Sequence, residues 1–399
     1  MIYFDNAATS WPKPPTVAAA VQEQLTSAGG NPGRSGHRLS IAAARVVEET
    51  REALARLFHA ADPGRFAFTP NATHALNVAL YGLLRPGDRV VTTSMEHNSV
   101  MRPLRHLETR GVCVVVIPCS PDGSIELDRM DEALHPGARL LVATHASNVT
   151  GTILPVPDLA VLARAHGARF LVDAAQTAGT VLIDVETLGI DMLAFAGHKG
   201  LLGPTGTGGL YVRDDVALPP LVRGGTGSDS ALEVQPEFMP DALESGTLNV
   251  AGIAGLGASV RFLMETGVEA VQTHERELAT RFIDGARAIP GVTVYGPGDP
   301  TARCGIVSFN VEGVSPSEVG LLLDETFGVM ARTGLHCAPS AHRTIGTFPG
   351  GTVRFGFGWF NTAAEVDTAI EAVRQIAAWS ETGQTPVFSV PPGLAGPDQ

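Results

Sequence analysis

Nowhere among the 399 residues is there an uninterrupted apolar run of about 18, the length a helix needs to cross a bilayer, which argues against a helical membrane protein. The opening MIYFDNAATS also lacks the basic stretch followed by an apolar one that marks a secretory leader, so a cytoplasmic location is expected. Cysteine is scarce. Cys113, Cys119, Cys304 and Cys337 are too scattered for a disulfide framework, and no two of them form a CxxC pair. No cluster with metal-ligand spacing is expected. Blocks of like charge are missing too, and the formal net charge is -13, which sets the chain apart from phosphate-backbone binders and from proteins drawn to anionic membranes. What remains is 44% hydrophobic and 17% charged, material for a compact protein with a substantial core.

From about residue 66 to 212, short β-branched runs alternate with amphipathic stretches, the pattern of a mainly parallel sheet covered by helices on both faces. Seven strands are expected: FAFT (66–69), RVVTT (89–93), VCVVVIP (112–118), RLLVATH (139–145), RFLVDA (169–174), DMLAFA (191–196) and GGLYV (208–212). Ligands of open α/β sheets bind beyond the carboxyl ends of the strands. The polar residues there are Asn71 to Thr73, Glu96 to His97, Ser147 to Asn148, Asp173 to Gln176, and His198 to Lys199. Residues 213–249 read as a long ordered loop reaching toward a neighbouring subunit. The domain reading is an N-terminal arm (1–15), a large domain (16–255), a smaller α+β domain (256–379) and a mobile tail (380–399).

The glycine-rich GLLGPTGTGG (200–209) lacks the Gly-Lys-Ser/Thr ending and opens onto a strand, so it is not a P-loop. A better phosphate site is TPNATHALNVAL (69–80), where a strand runs into a helix and offers unpaired N–H groups, although Asn71 or Thr73 as a plain helix cap explains the same residues. In LVDAAQT (171–177) an apolar strand delivers Asp173 to its end. A buried carboxylate needs a partner. A protonated pyridine nitrogen would supply one and keep the ring an electron sink. Lys199, flanked by glycines at the end of DMLAFAGHKG, is an amine placed to condense with a cofactor aldehyde and to move a proton at a substrate α-carbon.

With YFDNAATS, NPGRSGHRLS, EHNS, SNVTG, DAAQT, GHKGLLGPTGTGGLY, ESGTLN, GLHCAP and VRFGFGWFNT in that order, the chain resembles the class V aminotransferase-fold family of cysteine desulfurases and selenocysteine lyases. The resemblance implies the fold type I architecture of pyridoxal 5′-phosphate (PLP) transferases, with a seven-stranded, mainly parallel large domain. It implies PLP held by Lys199 as a Schiff base, with His97 stacked on the ring and Asn148 near cofactor or substrate. Asp173 and Gln176 would contact the ring nitrogen and the phenolic oxygen. Ala72, Thr73 and His198 would bind the phosphate, and Thr247 would reach the phosphate in the partner subunit of a homodimer. Arg354 matches the arginine that grips the substrate carboxylate, a task suited to guanidinium geometry.

Cys337 matches the family's catalytic cysteine, with a small buried residue as the plain alternative. The implied activity is desulfuration of L-cysteine to L-alanine with transfer of sulfur to Cys337 and on to an acceptor protein. L-selenocysteine lyase, C–S lyase and other class V biosynthetic activities are the alternatives. An unperturbed thiol has a pKa of about 8.5, so a positive neighbour is required near neutral pH, and His336, His342 and Arg354 are the candidates. Two departures from the family stand out: Ala196 replaces a phosphate-binding serine, and His74 replaces a glutamate. Arg34, His37 and Arg38 either line the entrance or form a structural turn.

Overall fold

The computed structural model describes residues 1–382 apart from Arg34, Asp229, Ser230 and Leu232. In chain order, β1 (Ile2–Tyr3) and α1 (Pro15–Thr26) precede α2 (Arg38–Leu57), β2 (Phe66–Thr69), α3 (Ala72–Leu83), β3 (Arg89–Thr93), α4 (Asn98–Glu108) and β4 (Cys113–Ile117). There follow α5 (Leu127–Leu134), β5 (Leu140–Thr144), α6 (Val156–Ala165), β6 (Arg169–Asp173), β7 (Met192–Ala196) and β8 (Gly208–Val212). Beyond the long loop come α7 (Val250–Thr266), α8 (Val268–Arg287), β9 (Val292–Tyr295), β10 (Ile306–Val311), α9 (Pro316–Phe327) and β11 (Val329–Met330). The last are β12 (Arg332–Gly334), α10 (Pro339–Thr344), β13 (Thr352–Gly356) and α11 (Ala363–Thr382).

The large sheet has the order β2-β8-β7-β6-β5-β3-β4, and only β8 runs against its neighbours. Its strands coincide with the seven apolar runs, and all but the edge strand β4 are largely buried, as strands covered on both faces are. Within β5, Leu140 and Val142 face the core under α3 and α4, whereas Leu141 and Ala143 face the one shared with α2, α6 and α7. This period-2 division recurs in β6, where Phe170 and Val172 point one way and Leu171 the other.

The smaller sheet, β12-β13-β10-β9, is antiparallel and packs one face on α8, α9 and α11 around Phe282, Phe309 and Phe355. The N-terminal arm belongs physically to this half: β1 pairs with β11, and Phe4 packs on Phe355 and Phe357. The boundary expected after residue 255 falls inside α7, whose Leu256, Val260 and Leu263 stay in the large core together with Val268 and Val271 of α8. The chain passes between cores along α8, because its later Leu278, Phe282 and Ile283 join the small one. The final helix runs to Thr382, past the expected tail start at 380, and the rest of that tail lies outside the described residues. Among the described residues no helix is long and apolar enough to cross a membrane.

Five consecutive residues, Ser147–Gly151, follow the end of β5 and tie the halves together. Asn148 O accepts from Arg354 Nη1 at 2.9 Å, Val149 O from Ser308 Oγ at 2.6 Å, Thr150 O from Arg303 Nη2 at 2.9 Å, and Gly151 O from Cys304 N at 2.9 Å. Gly151 has φ +74°, and a Cβ there would lie 2.4 Å from Ile306 O, so only glycine lets the two backbones meet.

Candidate active site

The carboxyl ends of the parallel strands open on a cleft with about 470 Å³ of unfilled space. Asn71, Ala72, Thr73, His97, Asn148, Asp173, Gln176, His198 and Lys199 all line it. Gln176 also donates to Ala7 O at 3.1 Å, which brings the N-terminal arm to the rim.

Asp173 is 3% exposed and accepts from Ala175 N at 2.9 Å on one oxygen, which leaves the other for a ligand. Burial pushes its pKa up, against the Ala175 hydrogen bond and the charge of Lys199. A carboxylate so placed gains from a cation in the cleft. Burial likewise pulls the Lys199 amine down to about 8, with Asp173 opposing and Arg354 and Arg332 reinforcing the fall. A neutral, nucleophilic amine is therefore accessible near physiological pH. Gly197 precedes this segment because a Cβ there would stand 2.1 Å from Thr207 Oγ1. Carbonyls of His198 and Lys199 are held by Ser10 Oγ at 3.2 and 2.9 Å, and Lys13 Nζ donates to His198 O at 2.9 Å.

At the opposite end of the cleft stands the N-terminus of α3. The Asn71 side chain caps His74 N at 2.9 Å, and among the described residues the N–H groups of Ala72 and Thr73 have no acceptor. Among the described residues, buried His198 Nδ1 has no partner. Free amides at a helix start, a hydroxyl and an imidazole make a cradle for a phosphate. Ala196 also lines the cleft and adds no donor. His74, the other departure, is half-buried in α3, and burial lowers its pKa.

His97 is the N-cap of α4. Its Nδ1 accepts from Ser99 N at 3.0 Å, so the neutral ring carries its hydrogen on Nε2. Burial, then the charges of Lys199, Arg332, Arg354 and Arg102, lower it to about 4, so it stays uncharged. The residues present thus fit PLP: an amine for the carbonyl, a carboxylate for the ring nitrogen, a flat neutral imidazole, and a phosphate cradle.

Arg354, 1% exposed, crosses from β13 to the rim, where Asp5 Oδ1 takes Nη2 at 3.1 Å and Asn148 O takes Nη1, while Nε has no partner among the described residues. Cys337 is exposed on the β12–α10 turn. His336 and Cys337 both hold positive φ, +48° and +58°, a left-handed pair rarely adopted by residues other than glycine. Asn98 N–H to Cys337 O (2.8 Å) and Asn148 Nδ2 to His336 O (2.7 Å) lock the turn.

Of the candidates His336, His342 and Arg354 for a positive neighbour of the thiol, the two histidines are uncharged. Both are buried, and burial is the main cause that drives them to about 2 and about 4, so both rings are neutral. The cation at the sulfur is Arg332, whose Nη2 lies 3.5 Å from Sγ. Arg332 and Asp5 are the participants not singled out from the sequence, although Asp5 stands within the quoted YFDNAATS and Arg332 two residues ahead of the quoted GLHCAP. Thr247 does not line the cleft. It is exposed beside a separate hollow with Thr69, Pro70, His74 and Thr207. His37 caps α2 by accepting from Ser40 N at 3.2 Å, which favours the structural reading of that turn, and Arg34 lies outside the described residues.

A family model described as aminotransferase class-V matches residues 2–368. A probable cysteine desulfurase of Methanothermobacter thermautotrophicus is 37% identical over 385 residues, covering 94% of both chains. A cysteine desulfurase from Thermococcus onnurineus, solved in its apo form, superposes with a TM-score of 0.89 at 36% identity, covering 94% of each chain. The Escherichia coli cysteine desulfurase CsdA, solved as an S-sulfonic acid, gives 0.85 at 31% identity with 94% of each chain covered.

Proposed function

The chain belongs to the class-V aminotransferase family, and from that premise we propose that it is a PLP-dependent cysteine desulfurase converting L-cysteine to L-alanine and retaining the sulfur on Cys337. The observation that carries this reading is the placement of Cys337. The thiol is exposed and fixed in a left-handed turn, and it lies close enough to Lys199 and Arg354 for its charge to act on both.

When bound, PLP supplies a carbonyl that takes up the substrate amine and a cationic ring that accepts the electrons freed at the α-carbon. Asp173 would hold the proton of the ring nitrogen. Lys199 removes the α-proton and returns it. Arg354, with Nε free and its plane fixed by Asp5 and Asn148, receives the substrate carboxylate. His97 would stand against the ring, with its hydrogen on Nε2. The Cys337 thiolate then forms an S–S bond with the substrate sulfur as the Cβ–S bond breaks. Its electron pair stays on the carbon fragment, which takes up a proton and leaves as alanine. Exposure of Cys337 leaves the bound sulfur open to an acceptor protein.

The protein is further proposed to act as a homodimer in which Thr247 completes the phosphate site of the partner subunit. Support comes from its exposed position next to the start of α3. Incubation of Cys337→Ala with L-cysteine and with L-selenocysteine, measuring alanine, sulfide or selenide, and pyruvate separately, tests the activity. Loss of alanine from L-cysteine by at least about 100-fold with the visible PLP absorbance retained is expected. Undiminished alanine, or pyruvate as the main product, would assign the chain to a lyase instead.

A further inference from the structure

We propose that Arg332 is the positioning residue of the sulfur nucleophile: its guanidinium holds Cys337 as an anion and aims it into the cleft. This rests on reading Cys337 as the nucleophile. Arg332 lies on β12 directly opposite Arg354 of β13, and the chain then turns through the left-handed pair His336–Cys337. That turn brings Sγ back to 3.5 Å from Arg332 Nη2, five residues upstream. Among the described residues Arg332 enters no salt bridge, and its one side-chain hydrogen bond goes to this sulfur.

The other groups around the thiol are less suited. Arg354 is tied to Asp5 and Asn148, and in the proposed reaction it serves the substrate. Lys199 is committed to the cofactor. His97, at the start of the helix whose first N–H holds Cys337 O, is neutral, as are His336 beside the thiol and His342 on α10. A cation in contact with sulfur and, among the described residues, in no salt bridge is the arrangement that favours a thiolate. The same guanidinium remains in reach when the sulfur carries a second sulfur atom, since neither the turn nor β12 needs to move.

Iodoacetamide alkylation of the PLP-loaded protein, read at Cys337 by peptide mass spectrometry across pH 6–10, tests this without turnover. Cys113, exposed on the far edge strand β4, is the internal reference. Arg332→Ala is expected to slow Cys337 alkylation at neutral pH about ten-fold and displace its profile by about one pH unit to the alkaline side, with Cys113 unchanged. Arg332→Lys is expected to restore most of the rate by restoring the charge. An unchanged profile in Arg332→Ala, or an Arg332→Lys variant as slow as Arg332→Ala, would overturn the proposal. Because no substrate is present, failure of the desulfurase reading would appear only in the alanine assay of Cys337→Ala, so the two failures are separable.

Discussion

Asp173 is the last residue of β6, and Lys199 stands three residues past the end of β7, the strand hydrogen-bonded to it, so two ionisable groups leave the sheet side by side. Both are buried and both are shifted toward their neutral forms. A cation bound beside Asp173 would reverse that penalty for the carboxylate. Asp173→Asn removes the partner of the ring nitrogen, and the rate of alanine formation is expected to fall at least about 100-fold while the protein still takes up PLP, read by absorbance. Retention of the full rate would show that the ring proton is held otherwise. Most of this site was legible because strand ends in an α/β sheet are predictable and their polar residues are few. The cation at Cys337 was not. His336, His342 and Arg332 surround the cysteine within a few residues of sequence, and only burial and the left-handed turn decide which of them is charged and in contact.

The N-terminus of α3 does two jobs with neighbouring residues: Asn71 satisfies His74 N, and the amides of Ala72 and Thr73 stay open to the cleft. Asn71→Ala is expected to cost about 1 kcal/mol of stability and to weaken PLP binding, measured by thermal unfolding with and without the cofactor. An unchanged PLP affinity would mean that the cap does not order the cradle. Helix α8 carries a different burden, a buried Glu275 that lines a small hollow together with Lys199 and Gln176. Burial raises it from 4.5 to about 8. The folded chain therefore keeps a proton that the unfolded chain releases. Its contribution is fully present below about pH 4.5 and is lost as pH rises through about 8. Glu275→Gln keeps the neutral shape, so the fall in Tm of the wild type between pH 5 and 9 should be shallower in the variant. Parallel Tm profiles would contradict a buried, protonated Glu275. That α7 stays with the large core, beyond the boundary read after residue 255, escaped the sequence for a related reason. Its apolar stripe reads the same whichever core it joins, and only packing against α1 and α2 assigns it.

At the scale of the whole molecule, two cores meet at Ser147–Gly151, where four successive carbonyls bond to the small domain. Asn148 O accepts from Arg354 Nη1 and Asn148 Nδ2 donates to His336 O, so Arg354 and the cysteine turn are both positioned through that seam. Gly151→Ala places a Cβ 2.4 Å from Ile306 O in a left-handed backbone, so a loss of more than about 2 kcal/mol in unfolding free energy is expected. A variant as stable as the wild type would show that the seam can relax. In solution, light scattering is expected to return about twice the chain mass of 41.6 kDa, as the Thr247 proposal requires. The chain contains only two lysines, Lys13 and Lys199, both bonded into the same corner of the site, and this makes the central claim open to one measurement. Borohydride reduction of the PLP-loaded protein, followed by peptide mass mapping, should place one pyridoxyl phosphate group on Lys199 and none on Lys13. An adduct on Lys13, or no adduct at all, would contradict Lys199 as the residue that holds the cofactor.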